Sequence, residues 1–302
     1  MPKVDPPVRP TELLDALARN EDIYYFAVGS NLSRAAMENR GCAPISMKPG
    51  LVRGCRLAFN LKGMPPSEPA FGGLEPLPSY CEKSNSTKAV SSAILLRREG
   101  RPVLAYGKDE IHGALIKLSA HDYILVYKSE GGGTLDGYEE IMVDCVPYDS
   151  SQPIVNAVAF HARDHTRIAH DACPSKRYMN IIRAGAAELG LSDSYQQWLK
   201  DHPVQNPGWI VQHVARYNMV FAFSLSLGPL KICLVENILK SLLFRVYVPP
   251  TEPRWKQIAG EVASIVIMTP SACLGFALRY FLETSGLMPD MLKKWLIRNP
   301  ID

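Results

Sequence analysis

The run Tyr25-Phe26-Ala27-Val28-Gly29-Ser30-Asn31-Leu32 constrains this chain more than any other stretch. Its first half is apolar and β-prone. It breaks at Gly29 into Gly-Ser-Asn, and a segment with helical spacing at Arg34, Met37 and Arg40 follows. A strand that stops at a glycine and turns into a helix start leaves several backbone N–H groups converging on one point. The glycine also lets another molecule approach the main chain. Such a turn can hold an anion, although most turns of this kind only connect two elements. It acquires chemical meaning through partners elsewhere in the chain.

The background against which those partners stand is ordinary. With 302 residues, 47% hydrophobic and 21% charged, the chain can bury a core in one large domain or two smaller ones. A net charge of +3 without basic runs and interleaved aromatics argues against nucleic acid as a partner. The seven cysteines form no CxxC pair, and their odd number does not fit a disulfide framework, so they read as buried thiols in a reducing, cytoplasmic setting. The proline-rich start Met1–Pro7 lacks the apolar stretch of a secretory leader. Asn85-Ser86-Thr87 fits a glycosylation acceptor by accident in that setting.

Along the chain, a short helix capped at Thr11 is expected first, then the strand and turn at 23–32 and a helix to Arg40. Leu51 to Phe59 alternates as one strand. Pro65, Pro66, Pro69, Pro76 and Pro78 mark a loop-rich region around Phe71-Gly72-Gly73-Leu74, and 79–108 reads as a polar insertion or lid. Ile111–Leu118 is expected as a buried strand, followed by a helix from Ser119 that stops at Glu130 and three glycines. Strands over Tyr138–Tyr148 and Ile154–Phe160 precede a helix capped at Pro174-Ser175 and another from Ser192 to Asp201. Strands and helices mix without regular βαβ alternation, which favours an α+β fold or a closed sheet over a doubly wound one.

After Asn206-Pro207-Gly208 the character changes. From Gly208 onward ten Lys/Arg stand against six Asp/Glu, and 218–230 and 262–278 carry no charge at all. Each of these runs is shorter than the ~20 residues that span a bilayer and each contains a proline. Leu234 to Val248 has apolar residues at helical spacing. The stretch is expected to be a helical extension packed on the rest or on a second copy, with a membrane surface as the competing occupant.

Two groups of polar residues call for a reading. Glu130 closes an apolar helix at its negative end, a position that helix electrostatics disfavour; a role in chemistry or simple exposure would each explain it. His161, His165 and His170 have spacings that could ligate a metal, but Arg163 and Arg167 lie among them and would repel a cation. They read as a solvated loop or helix face, and no metal site is expected. No GxSxG elbow, P-loop or dinucleotide fingerprint is present.

Taken together, these residues resemble a known family. Tyr25–Leu32 is similar to the YFAYGSNL signature of the γ-glutamyl cyclotransferases. Ser129-Glu130-Gly131 followed by Gly137-Tyr138 looks like that family's catalytic-glutamate segment, and Pro174–Ile182 with Gly185-Ala186 to Leu199 resembles its later helices. The triple glycine and Ser67–Phe71 further resemble fungal members, including those of gliotoxin-type clusters. The resemblance covers about residues 22–206. It implies a small closed mixed β-sheet flanked by helices over 22–207, after a lead at 1–21 and before a mostly helical extension at 208–302.

The resemblance also implies a reaction: the α-amine of a γ-glutamyl compound attacks its own γ-carbonyl, releasing 5-oxoproline and a free amine. The substrate would be glutathione, a γ-glutamyl amino acid or a γ-glutamylated secondary metabolite. Glu130 is implied as general acid and base, with its pKa raised by Leu125, Val126 and Tyr127. Gly29, Ser30, Asn31 and Leu32 are implied as backbone donors, Tyr138 and Tyr178 as positioning hydroxyls, and no cofactor is needed. Val28 departs from the pattern, because the family usually has tyrosine there. That departure favours the alternative, a non-catalytic anion-binding module with a partner- or membrane-binding tail.

Overall fold

The computed structural model describes residues 9–65, 67–77, 109–132, 137–164, 166–168, 170–215, 217, 242–243 and 245–285. The polar stretch 79–108 and the run 218–230 lie outside the described residues. Contacts divide the chain into two compact units, Met1–Lys62 with Ala70–His202, and Gly63–Pro69 with Pro203–Asp302.

The first unit is built on a closed five-stranded barrel in the order β1 (Ile23–Ala27), β5 (Glu110–Leu118), β2 (Ser46–Arg53), β6 (Tyr138–Pro147) and β7 (Val155–Ala162). Neighbouring pairs are antiparallel except the closing one, β1 with β7, where Tyr25 lies opposite Val158 and Phe26 opposite Ala159. Strand β1 thus has a partner on each side and ends in the middle of the barrel wall. The core that holds it there includes Phe26, Ile111, Ile116, Leu118, Val143 and Val158, all buried. A fully buried side chain such as Phe26 contributes roughly 1.5–3 kcal/mol.

Two strand expectations are corrected. The single strand foreseen over 51–59 is the end of β2 and the start of β3 (Cys55–Met64), separated at Gly54, whose φ of 72° is a left-handed turn position. The region foreseen as proline-punctuated loop is strand β4 (Glu68–Pro76), paired with β3 in a separate two-stranded sheet. In a two-stranded sheet each strand keeps an outer edge without a ladder partner, so Pro69 and Pro76 are tolerated there.

The helices fall close to the places expected. Helix α1 spans Thr11–Ala18 with Pro10, not Thr11, at its N-cap and no side-chain cap bond, and α2 (Arg34–Asn39) follows a 3₁₀ turn over Ser30–Leu32. Helix α3 (Ala120–Ser129) is capped by the Ser119 side chain, which accepts from the Asp122 N–H, and ends at Glu130 before Gly131 at φ 77°. Helix α4 (Lys176–Glu188) is capped by Ser175 accepting from the Tyr178 N–H, and α5 covers Asp193–Asp201. A Cβ at Gly185 would stand 2.8–2.9 Å from Leu32 and the Ser33 nitrogen, so only glycine lets α4 press onto the 3₁₀ turn. The closed mixed sheet with flanking helices and a C-terminal helix matches the architecture implied by the resemblance.

In the second unit, helix α6 (Arg254–Thr284) runs unbroken through Pro270. Gly260, Ser264, Met268 and Ala272 are buried at four-residue spacing, and Met268 packs with Met64, Val211, Ala215 and Leu243. Another face, with Trp255, Ile258, Val262, Val266, Phe276 and Tyr280, is exposed.

Candidate active site

The turn that ends β1 and the glutamate that ends α3 meet at one cleft in the first unit. Its lining includes Val28, Gly29, Ser30, Asn31, Gly72, Gly73, Glu130, Tyr138 and Tyr178. Tyr25, Phe26 and Phe160 also line it, with the Tyr25 and Phe160 rings 5.2 Å apart.

The turn is shaped as the local sequence suggests. The Leu32 N–H returns to the Gly29 carbonyl at 3.2 Å, while the Ser30 and Asn31 amides ahead of it have no backbone acceptor among the described residues. Gly29 is required by the opposite wall, because a Cβ there would lie 2.8 Å from the Tyr178 hydroxyl. Leu32, expected among the donors, does not line the cleft. Its N–H is used inside the turn and its side chain is buried in the core.

The two expected tyrosines do reach the cleft, and both grip the backbone of Gly72. The Tyr138 hydroxyl donates to the Gly72 carbonyl at 2.8 Å, and the Tyr178 hydroxyl accepts from the Gly72 N–H at 3.1 Å. Burial, then Tyr178 and Glu130 nearby, push the Tyr138 phenol well above its ordinary value. Burial followed by the Glu130 carboxylate does the same to Tyr25. Both phenols therefore stay protonated at neutral pH and act as hydrogen-bond partners, never as bases.

Glu130 is only slightly exposed, at 16% of its side chain, and its Oε1 is held twice. Arg40 NH2 approaches it at 2.9 Å and Asn31 Nδ2 at 3.0 Å. The same Asn31 nitrogen donates to the Tyr25 hydroxyl at 2.9 Å. A carboxylate only accepts, so the amide must turn its nitrogen toward Glu130, which leaves the buried Asn31 Oδ1 without a partner among the described residues. An orphaned acceptor costs about 1–3 kcal/mol, a sign that the two bonds made by Nδ2 fix this side chain. The apolar surroundings expected from Leu125, Val126 and Tyr127 are absent from the cleft lining; the contacts made by this carboxylate are polar.

The histidine reading is corrected too. His161 lies on β7, opposite Glu139 on β6, with its Nε2 2.9 Å from the Glu139 carboxylate and its side chain 12% exposed, so it is a cross-strand pair rather than a solvated face. His165 lies outside the described residues. Among the described residues no cluster of three or more His, Cys, Asp or Glu could hold a metal ion.

Several contributors escaped the sequence. Tyr25 sat inside the key run but read as a strand residue, and Arg40 read only as helical spacing. Gly72-Gly73 carried a usable signal, since paired glycines within a β-capable run mark close backbone approach. Nothing near Phe160 announced it.

The described geometry has relatives. The AIG2-like family model matches residues 110–199. The chain is 28% identical over 188 residues to the γ-glutamyl cyclotransferase gliK of Aspergillus fumigatus, a match covering 61% of this chain and 64% of that protein. It is also 28% identical over 178 residues to the gliK γ-glutamyl cyclotransferase of Claviceps purpurea, covering 58% of this chain and 68% of that protein. A solved structure described as a γ-glutamyl cyclotransferase is 18% identical, with a TM-score of 0.44 over 73% of this chain and 99% of its own. The chain spans just under two thirds of the Aspergillus relative's length.

Proposed function

We propose that this chain, a relative of the fungal γ-glutamyl cyclotransferases, releases 5-oxoproline and a free amine from a γ-glutamyl amide. The observation that supports this is the single cleft lined by both Glu130 and the Gly29-Ser30-Asn31 turn. Ring closure is intramolecular, so the site's main task is to hold the substrate folded, a source of large effective molarity. The substrate's α-ammonium gives a proton to Glu130, and the freed amine attacks the γ-carbonyl carbon. The oxygen of that carbonyl becomes an oxyanion facing the Ser30 and Asn31 amides. The γ C–N bond then breaks as Glu130 returns that proton to the leaving nitrogen, and the second proton of the ring nitrogen passes to the freed amine, which departs as an ammonium and leaves a neutral lactam. Glu130 ends the cycle as it began, a carboxylate.

Tyr138 and Tyr178 act through Gly72, whose peptide they fix against the cleft. Glutathione, γ-glutamyl amino acids and γ-glutamylated secondary metabolites are the candidate substrates. Incubating purified protein with a panel of these and measuring 5-oxoproline tests the reading. Binding of a γ-glutamyl compound without release would instead favour a non-catalytic module.

For the C-terminal unit we propose insertion into a lipid bilayer. Residues Arg254–Leu274 are long and apolar enough to cross a membrane by length and composition. Exposed Trp255 and Tyr280 stand about 37 Å apart along the helix, close to a bilayer's hydrocarbon core plus part of each interface. Flotation with anionic phospholipid vesicles tests this. Protein that stays at the bottom of the gradient, or a concentration-dependent dimer, would remove it.

A further inference from the structure

Among the described residues, three partly or fully buried glutamates of the first unit are paired with arginine: Glu75, Glu140 and Glu130. In Glu75 one oxygen meets Arg56 and the other Arg167. In Glu140 both oxygens meet Arg9, and the Tyr123 hydroxyl adds a bond to Oε1. Glu130 differs. Arg40 and Asn31 both converge on Oε1, and Oε2 has no partner among the described residues.

Arg40 also does more than pair a charge. Its NH1 donates to Ser129 Oγ at 2.5 Å and its NH2 reaches Ser30 Oγ at 3.5 Å. One planar guanidinium therefore ties the end of α3 to the turn at the end of β1, across 89 residues of sequence to Ser129. An exposed arginine–carboxylate pair contributes little, about 0–1 kcal/mol. This one is 23% and 16% exposed, is shared with the buried Asn31, and uses the rigid fork that a lysine lacks.

We propose that Arg40 is the positioning residue of the reaction: with Asn31 it locks Oε1 and so dedicates Oε2 to the proton that leaves the substrate's α-ammonium and returns to the leaving nitrogen. This rests on the function proposed above. Glu130 follows the last turn of a helix, and its carboxylate would otherwise rotate freely about its side-chain torsions. A group that must take and return one proton at one place gains from losing that freedom, and misplacement by ~1 Å costs on the order of 10²-fold. Arg40 touches no reacting atom in this scheme; its effect passes through Glu130.

The test compares wild type, Arg40→Gln and Arg40→Lys on whichever γ-glutamyl compound the wild type turns over, with melting temperature as a fold control. The expected result is a fall in kcat of roughly 10²-fold for Arg40→Gln with KM changed less than about threefold. Arg40→Lys, which restores one charge without the fork, recovers part of that loss. A kcat that stays at the wild-type value overturns the proposal. So does a loss confined to KM, which would make Arg40 a ligand of the substrate's carboxylate. A wild type that releases no 5-oxoproline from any compound removes the underlying function as well, which separates the two failures.

Discussion

Glu130 and Glu75 are made from the same parts and sit in the same unit, yet they are built for opposite ends. Glu75 is 5% exposed at its side chain, both oxygens are taken, and Arg56 passes the network on to Asp171 at 2.5 and 3.0 Å. Burial holds the Glu75 pKa above its usual value, a rise that the flanking arginines oppose and Asp171 adds to. Such a closed network resists change and offers nothing to a ligand. Glu130 has its anchor on one oxygen only and borders a cleft. The lesson is that a buried arginine–carboxylate contact says little by itself; which oxygens remain unused, and what they border, separates scaffold from chemistry.

That contrast can be broken in several places. Glu130→Gln should have the largest effect, lowering 5-oxoproline release by roughly 10²–10⁴-fold, the usual contribution of a proton-transferring side chain. Its circular dichroism and melting temperature should match wild type; undiminished turnover would remove Glu130 from the chemistry. Glu75→Ala should do the reverse. Leaving Arg56 and Arg167 facing a missing charge costs about 3–5 kcal/mol of stability, visible in urea unfolding, while turnover per folded molecule stays within about threefold.

Gly29→Ala is a sharper probe of the cleft. The added methyl would sit 2.8 Å from the Tyr178 hydroxyl, and relieving that contact should cost about 1–3 kcal/mol and at least ~10-fold in kcat/KM. A variant with unchanged kinetics would show that the Tyr178 hydroxyl is free to move. Val28→Tyr should have the smallest effect. Val28 lines the cleft at the position where the resembled YFAYGSNL signature has tyrosine, so the change should alter the ranking of γ-glutamyl substrates by kcat/KM, by less than about 1.4 kcal/mol for any one. An unaltered ranking would mean that this position does not touch substrate.

How far these features could be read in advance depended on how local they are. The turn after β1, the Ser119 and Ser175 caps and the glycine stop after Glu130 all follow from neighbouring residues, and each stands where its local chemistry puts it. Strand β4 was missed because five prolines outweighed its pairing with β3, which is a tertiary fact. The bonds from Arg40 and Asn31 to Glu130 join side chains 90 and 99 positions apart, and no periodicity encodes that meeting. The motif resemblance did carry Glu130 and the turn to one cleft. It did not supply Tyr25, Arg40 or Gly72, and it suggested an apolar flank where polar anchors stand.

The two tyrosines that clasp the Gly72 peptide carry a consequence for how this protein could acquire new substrates. Where the cleft wall is main chain, a point mutation has no side chain to trade, and any residue placed at 72 would meet Leu57 and Phe59 at 3.2 Å. Diversification of the cleft must therefore run through its other walls, where Val28 offers a side chain to change. Engineers seeking altered selectivity should randomise there first and leave the clasp untouched.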